Sequence, residues 1–456
     1  MVGEGERGKA VIVGGSIAGI SCAHALILAG WDVLLLEKTP SSPTGSPTGA
    51  GLGLNSFSQQ IIQSWLPHSQ QHLLLNTTLP LTIDQNYVTD SERKVHSTLT
   101  RDESLNFRAA HWADLHGLLY NALPSDIFLW GHVFLSFHVV DDKGCVIVKA
   151  KVLETGEVVE IEGDLLVAAD GCLSSIRQKY LPDFKLRYSG YCAWRGVLDF
   201  SKIENSEAIS GIRKAYPDLG KCLYFDLASG SHTVLYELHK KRLNWVWFVN
   251  QPEPEVKVTL FFIHLIAKNP EMIFLSFFML PFQGTSVTMK VNSEMIQKMQ
   301  QEAEKVLIPE LVKVIKETRE PFLNFIYDSD PLEKIFWEKV VLVGDAAHPT
   351  TPHCVRSTNM SILDAAVLGK CIEKWGAQKL ESALEEYQLI RLPLTSKQVL
   401  HARRLGRLKQ GFVLPDTEPF DPKLVRPEDH QELLVRNTPF FNDGPLSLGL
   451  LPSDCL

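Results

Sequence analysis

No Cys-x-x-Cys pair occurs in the 456 residues, and the eight cysteines stand scattered at 22, 145, 172, 192, 222, 354, 371 and 455. That removes the common zinc and dithiol motifs, so no metal site is expected. Long runs of lysine and arginine are missing too, and the net charge is −8. Nucleic acid is therefore not an expected partner. No apolar run reaches the ~20 residues of a membrane span. The longest contender, Val258 to Gln283, is broken at its middle by Lys268, Pro270 and Glu271. The polar start, with Glu4, Glu6, Arg7 and Lys9, suits neither a signal nor a transit peptide. Cys455 is not placed for prenylation. Reduced thiols and no leader point to a cytoplasmic chain. What remains is 45% hydrophobic and 21% charged, an ordinary globular composition long enough for two domains.

Against those absences, one stretch carries much information. Val11-Ile-Val-Gly14-Gly15-Ser16-Ile17-Ala18-Gly19 is followed by Trp31-Asp-Val-Leu-Leu-Leu-Glu37-Lys38. The order is strand, glycine turn, helix, strand, acidic residue. Ile20, Ala23, Leu26 and Ile27 give the helix a face for a sheet. Such a turn lets backbone N–H groups approach a pyrophosphate at a helix N-terminus, and Glu37 lies where a ribose hydroxyl needs a carboxylate. Ser16 replaces the middle glycine of the usual pattern. Farther on, Gly49-Ala50-Gly51-Leu52-Gly53 reads as either a surface loop or backbone approaching a flat ligand. Asp170-Gly-Cys-Leu-Ser-Ser-Ile-Arg177 follows the apolar run Leu165–Ala169. Gly344-Asp345-Ala-Ala-His348-Pro349-Thr-Thr-Pro352-His353 follows Val340–Val343. Each puts an aspartate at the C-terminal end of a buried strand, where open α/β sheets bind ligands.

Patterning places the other elements. Residues 57–66 and 111–123 read as helices and 81–99 as short strands. A hairpin is expected from 134–140 and 145–153, with another strand at 158–161. Tyr191–Phe200, Lys221–Leu227, Thr233–Leu238 and Asn244–Val249 alternate as an antiparallel sheet does. A helix over 293–319 is interrupted near Pro309, and 359–374 and 380–410 are helical.

The three motifs, in this order over residues 9–375, resemble the class A flavin-dependent aromatic hydroxylases, the p-hydroxybenzoate hydroxylase group. Val-Gly14-Gly-Ser16-Ile-Ala-Gly19, Tyr191-Cys-Ala-Trp194-Arg195-Gly-Val and Pro352-His353 are similar to the 2,6-dihydroxypyridine 3-monooxygenase branch and its plant relatives. The resemblance implies an α/β fold: a Rossmann-like FAD-binding domain from 1–182 and 337–412, a mixed-sheet substrate domain over 183–336, and an irregular tail at 413–456. It implies FAD as cofactor, NADH or NADPH as donor, O2 as co-substrate and a small aromatic or N-heteroaromatic ring as substrate. It puts Gly14, Gly15, Ser16, Ile17, Ala18, Gly19, Glu37 and Lys38 at the adenosine end of FAD. Gly51, Leu52, Gly344, Asp345 and Pro352 would lie along the cofactor. Backbone at Ser357, Thr358 and Asn359 would approach the flavin ring. Asp170 and Arg177 would serve both FAD and the donor's path. Many relatives carry glycine where Cys354 and Ser357 stand, and an arginine where Trp112 stands; Arg108 is the substitute expected for the latter, or else a solvated charge. His353 could polarise or deprotonate a substrate hydroxyl, or only hydrogen-bond it. A flavin oxidase, epoxidase or halogenase on the same fold is the alternative. Trp245 and Trp247 superficially match a halogenase signature, yet continue as Phe248-Val249-Asn250, which favours core aromatics. Neither the oligomeric state nor the choice of NADH or NADPH is specified.

Val258 to Gln283 does not fit this frame. Six of the chain's 22 phenylalanines fall in it. Relatives run directly from a segment like Pro252–Lys257 to one like Gly284-Thr-Ser-Val. Valine codons begin GT, glutamine CAG ends AG, and pyrimidine-rich sequence translates to Phe, Leu, Ile and Ser. The segment reads as a retained intron, which would leave an inactive mis-spliced product; a membrane-docking hairpin is the competing reading.

Overall fold

The computed structural model describes residues 7–43, 49–89, 96–140, 144–253, 288–289, 291–414 and 431–435. Ala10–Val13 and Leu165–Ala168 carry no polar residue, and all eight side chains are buried. Strands apolar on both faces belong in the middle of a parallel sheet. They sit there, in a six-stranded sheet ordered Phe336–Trp337, Val340–Leu342, Leu165–Ala168, Lys9–Val13, Asp32–Glu37, Phe128–Trp130. Val13 lies beside both Leu36 and Ala168, and Ala168 lies beside Leu342, all in parallel register. The strands therefore end level, and the three motif turns begin side by side. Helices Ile17–Leu28 and Ser357–Trp375 pack closely: a Cβ on Gly369 would come within 2.8 Å of the Ala25 Cβ.

An eight-stranded mixed sheet forms the second layer, ordered 288–289, 322–328, 187–199, 242–250, 231–238, 222–228, 83–89, 96–102. Its last two strands correct the expected boundary at 182. Ile83–Thr89 pairs in parallel with Cys222–Leu227, which satisfies its backbone groups on the second sheet and not the first. One face is covered by helices Glu207–Ala215, Ser293–Val306 and Pro309–Glu317. The break before Pro309 has a simple cause: proline has no N–H to donate and is preformed for the first helical position. Trp245 and Trp247 lie in the core under these helices, 1% and 3% exposed, and their indole N–H groups bond Thr318 Oγ1 and Ser231 Oγ. They are core aromatics.

The other face packs against the end of the long helix Leu380–Lys409. Gln431–Val435 packs there too. Leu433 and Val435 are fully buried, and the Val435 amide donates to Asp84 Oδ2 at 2.6 Å. The loose tail expected after 413 does not hold for this piece. Residues 415–430 and 436–456, like the segment 258–283, lie outside the described residues. Among the described residues no helix is long and apolar enough to cross a membrane, and no group of three or more ligating side chains is placed to hold a metal ion.

Candidate functional site

The glycine turn is built so tightly that two positions exclude any side chain. Gly14 has φ +108°, and a Cβ there would lie 2.3 Å from the Ala169 carbonyl oxygen. A Cβ on Gly19 would lie 1.8 Å from the Gly14 oxygen. Ser16 occupies the helix N-cap but makes no capping bond, so the first helical amides are left for a ligand. Glu37 ends the neighbouring strand and holds the turn: Oε2 accepts from the Gly15 amide at 2.7 Å and Oε1 from Thr39 at 2.9 Å. Lys38 beside it points to solvent. A residue no motif flagged completes the turn. His116 Nε2 donates to the Gly15 carbonyl at 2.8 Å, and burial lowers its pKa, keeping the ring neutral.

The two aspartate motifs meet next to this turn. Ser174 caps the Ser175–Tyr180 helix, and Asp170 Oδ2 adds a bond at its start, accepting from the Ser175 amide at 2.9 Å, while its buried Oδ1 has no partner. Burial raises its pKa, which marks a carboxylate short of donors. Asp345 is half-buried and accepts from Ser357 Oγ at 2.8 Å. Gly344 positions it with φ +58°, and its amide donates to Asp364 Oδ2 at 2.8 Å. Asp364 is fully buried and also bonds His348 Nε2 at 2.5 Å and Arg391 Nε at 2.8 Å. Burial alone would raise its pKa, but His348 and Arg391 hold it far below the usual carboxylate range. Asn359 staples the glycine strand to this loop. Its Nδ2 donates to the Gly53 and Val355 carbonyls, and its Oδ1 accepts from the Asn55 amide.

Parts of these elements line a cavity of about 1690 Å³, while Gly14, Glu37, Asp170 and Asn359 stand behind its lining. Its lining includes Ser16, Ile17, Ala18, Asp345, Gly51, Leu52, Pro352, Ser357 and Thr358. The second sheet contributes Arg195, His232, Tyr236 and Phe248 to the lining, and the His353 ring packs against His232 and Phe248. No family model matches the chain. It is 23% identical to 6-hydroxynicotinate 3-monooxygenase of Pseudomonas fluorescens, over 85% of this chain and 89% of that protein. It is 27% identical to aurachin C monooxygenase/isomerase of Stigmatella aurantiaca, a match spanning 55% of this chain and about half, 53%, of that protein. In fold it matches the solved 2,6-dihydroxypyridine-3-hydroxylase of Arthrobacter nicotinovorans, with TM-score 0.69, 19% identity, and 92% and 98% of the two chains covered. Other solved neighbours of this fold hold FAD, one of them together with uric acid. The homologues of this chain are class A FAD-dependent aromatic monooxygenases.

The residues present fit the FAD of those monooxygenases. The side-chain-free turn at Gly14 and Gly19, the unpartnered Asp170 Oδ1 and the cavity-facing Asp345 supply the close approach and the acceptors that a dinucleotide with ribityl hydroxyls needs. Two expected FAD contacts stand elsewhere. Arg108 does not stand in for the missing arginine. Its guanidinium bonds Thr78 Oγ1 at 2.6 Å and the carbonyls of Leu75 and Thr78, and Arg108 is not among the residues lining the cavity. Arg177 is not a surface cation for the donor's phosphates. It is 2% exposed, lies 3.9 Å over the Phe184 ring, and donates to the carbonyls of Ala346 (2.8 Å), Asp345 (3.3 Å) and Cys172. It clamps the Asp170 motif to the Asp345 motif. Burial lowers its pKa to about 10, so it remains charged at neutral pH.

Of the two parts expected of His353, its surroundings suit the hydrogen bond better than proton removal. It is buried, and burial together with His232, Lys409 and Arg195 holds its pKa well below the usual histidine value. A ring that resists a proton is a poor general base. It can still accept a hydrogen bond, and Tyr191 OH lies 3.4 Å from its Nδ1.

Proposed function

We propose that this chain is an FAD-dependent monooxygenase that uses NAD(P)H and O2 to hydroxylate a small aromatic or N-heteroaromatic ring. The observation that carries this is the meeting of the Gly14 turn and the Asp170 and Asp345 motifs beside one cavity, which Ser16, Ala169, Gly171 and Asp345 line together with Arg195, Tyr236 and Phe248 of the second sheet. Gly14 to Gly19 and Glu37 would hold the adenosine diphosphate part, and Asp170 and Asp345 the ribityl and pyrophosphate region. Pro352 and the helix N-terminus at Ser357 to Asn359 would lie along the ring, where the positive end of the helix favours negative charge. Bound flavin supplies electron transfer from the nicotinamide and activation of oxygen. The protein's part is to bind the ring, orient it and exclude water, and the apolar wall of Val234, Val246 and Phe248 suits that work. The cytosol is the compartment we propose, in keeping with Cys22, Cys192, Cys222 and Cys371 being buried thiols.

Purified protein should show the visible absorbance of bound flavin. Adding phenols and pyridinols one at a time should stimulate NAD(P)H consumption and yield a hydroxylated product. Peroxide without hydroxylated product would make it an oxidase. A colourless, aggregating protein would favour the mis-spliced reading of 258–283.

A further inference from the structure

The helix Trp112–Tyr120 lies against the helix Ile17–Leu28, and two imidazoles tie them in opposite directions. His24 on Ile17–Leu28 reaches the Leu119 carbonyl with Nε2 at 2.9 Å. His116 on Trp112–Tyr120 reaches the Gly15 carbonyl with Nε2 at 2.8 Å. A carbonyl oxygen can only accept, so each ring carries its proton on Nε2. His116 Nδ1 is buried and makes no competing bond. The ring is also clamped in place. It is 1% exposed and stands between Trp112, with centroids 5.1 Å apart, and Tyr120 at 6.3 Å. Both neighbours lie one helical turn away, the spacing that puts side chains side by side on one face.

Gly15 is thereby held at both of its backbone polar groups by side chains from other elements. Glu37 Oε2 takes its N–H at 2.7 Å, and His116 takes its C=O. The Gly15 amide is thus engaged before any ligand arrives. The next amide is fixed as a consequence. A trans peptide is planar, with its C=O and N–H on opposite edges, and no cis bond occurs among the described residues. Holding the Gly15 carbonyl against His116 therefore turns the Ser16 N–H the other way. Ser16, Ile17 and Ala18 line the cavity, whereas Gly15 and His116 stand behind the lining. Ser16 makes no capping bond, and it is the N-cap of a helix of 12 residues whose positive end favours an anion.

We propose that His116 is a positioning residue for the pyrophosphate of the dinucleotide: by holding the Gly15 carbonyl it aims the Ser16 amide at the cavity, where that amide donates to a phosphate oxygen. His116 acts only through the Gly15–Ser16 peptide. A hydrogen bond weakens steeply as its angle falls toward about 120°, so a peptide left free to tilt would lose most of this one. The assignment rests on the reading of the Gly14–Gly19 turn as the pyrophosphate site. His24 supplies an internal comparison, because it makes the same kind of bond between the same two helices, farther along from the turn.

The test compares the full-length chain with its variants His116→Phe, His116→Asn, His116→Gln and His24→Phe. Each is freed of flavin and titrated with FAD and with riboflavin, which has no pyrophosphate. Phosphorus NMR of the FAD-loaded proteins reads the two phosphates directly. Wild type should bind FAD more tightly than riboflavin. His116→Phe should lower the affinity for FAD about tenfold, the scale of one hydrogen bond to a charged group, and leave that for riboflavin within about twofold. Its phosphorus resonances should shift from those of wild type. His116→Asn, whose amide stops short of Gly15, should behave alike, and it carries the test if the phenylalanine variant does not fold. Glutamine bears its amide nitrogen as far along the side chain as histidine bears Nε2, so His116→Gln should restore most of the FAD affinity. His24→Phe should lower the melting temperature while keeping the wild-type ratio of the two affinities and the wild-type phosphorus spectrum. Riboflavin affinity falling in step with FAD affinity in the His116 variants, or phosphorus resonances that do not move, would make His116 a packing residue and overturn the assignment. Equal affinities for FAD and riboflavin in wild type would instead overturn the reading of the turn on which the assignment rests.

Discussion

Asp170 and Asp345 do different work, and substitution separates them. Asp345 lines the cavity and spends one bond on Ser357, whereas Asp170 also ties down the start of a helix through the Ser175 amide. Asp345→Ala should therefore yield apoprotein more completely than Asp170→Ala, which should lose thermal stability as well. Flavin absorbance after gel filtration, read beside a melting curve, checks both; the reverse order would swap the two assignments. Glu37→Ala should weaken FAD retention by about 1.5–3 kcal/mol, the worth of a charged acceptor. The same change frees the Gly15 amide, so part of the loss comes from a looser turn. Equilibrium dialysis against free FAD measures it, and an unchanged affinity would remove Glu37 from the adenosine site. The motif residues were legible because strand ends and glycines are local signals. Arg177 was misread for a physical reason: its position in the first turn of a short helix does not say whether that side of the helix faces solvent or the next motif. His116 left no signal, since a buried imidazole is defined by a partner 101 residues away.

Between elements, the buried trio of His348, Asp364 and Arg391 joins the Asp345 turn to the two C-terminal helices. Asp364→Asn would leave the Arg391 guanidinium buried without its counter-charge. Loss of one partner of a buried pair costs about 3–5 kcal/mol, so the variant should melt well below wild type and release flavin on heating at a lower temperature. A denaturation midpoint equal to wild type would contradict this. Element positions were mostly legible, because 3.6-residue and 2-residue periodicities are written locally. Sheet membership was not. Ile83–Thr89 lies inside the stretch expected for the first domain yet pairs with Cys222–Leu227, a partner more than a hundred residues away that no local periodicity records. The segment 258–283 belongs at this scale too. The chain leaves the second sheet after Asn250 and rejoins it at Thr288, beside Asn324. We expect deletion of 258–283 to raise soluble yield while preserving flavin binding; loss of soluble protein would show the segment to be an integral part.

The whole molecule carries a pH signature. Burial lowers the pKa of His24 and His111 to about 4 and of His232 to about 3. An unfolded histidine titrates near 6.5, so between roughly pH 6.5 and 4 the unfolded chain binds more protons than the folded one. Stability is therefore fully present above about pH 6.5 and falls as pH is lowered, by up to ~1.4 kcal/mol per pH unit for each of these rings. Asp364, depressed in the fold, adds to the loss only below about pH 4. Chemical denaturation at stepped pH should show the steepest decline near pH 5; a constant midpoint from pH 7 to 5 would mean that these rings already protonate in the fold.

The staple from Asn359 to Asn55 spans 304 residues, and the sheet neighbour of Leu165–Ala168 is not made until Val340–Leu342. On the ribosome the glycine turn emerges long before Asp345 and Asn359. Until Val340–Leu342 follows, the sheet lacks one central neighbour, and its apolar strands stand uncovered to whatever binds nascent chains. A transcript ending before that strand yields a polypeptide with a nucleotide fingerprint and no means of closing a pocket around it. Closure of the flavin site therefore waits on the second and third motifs.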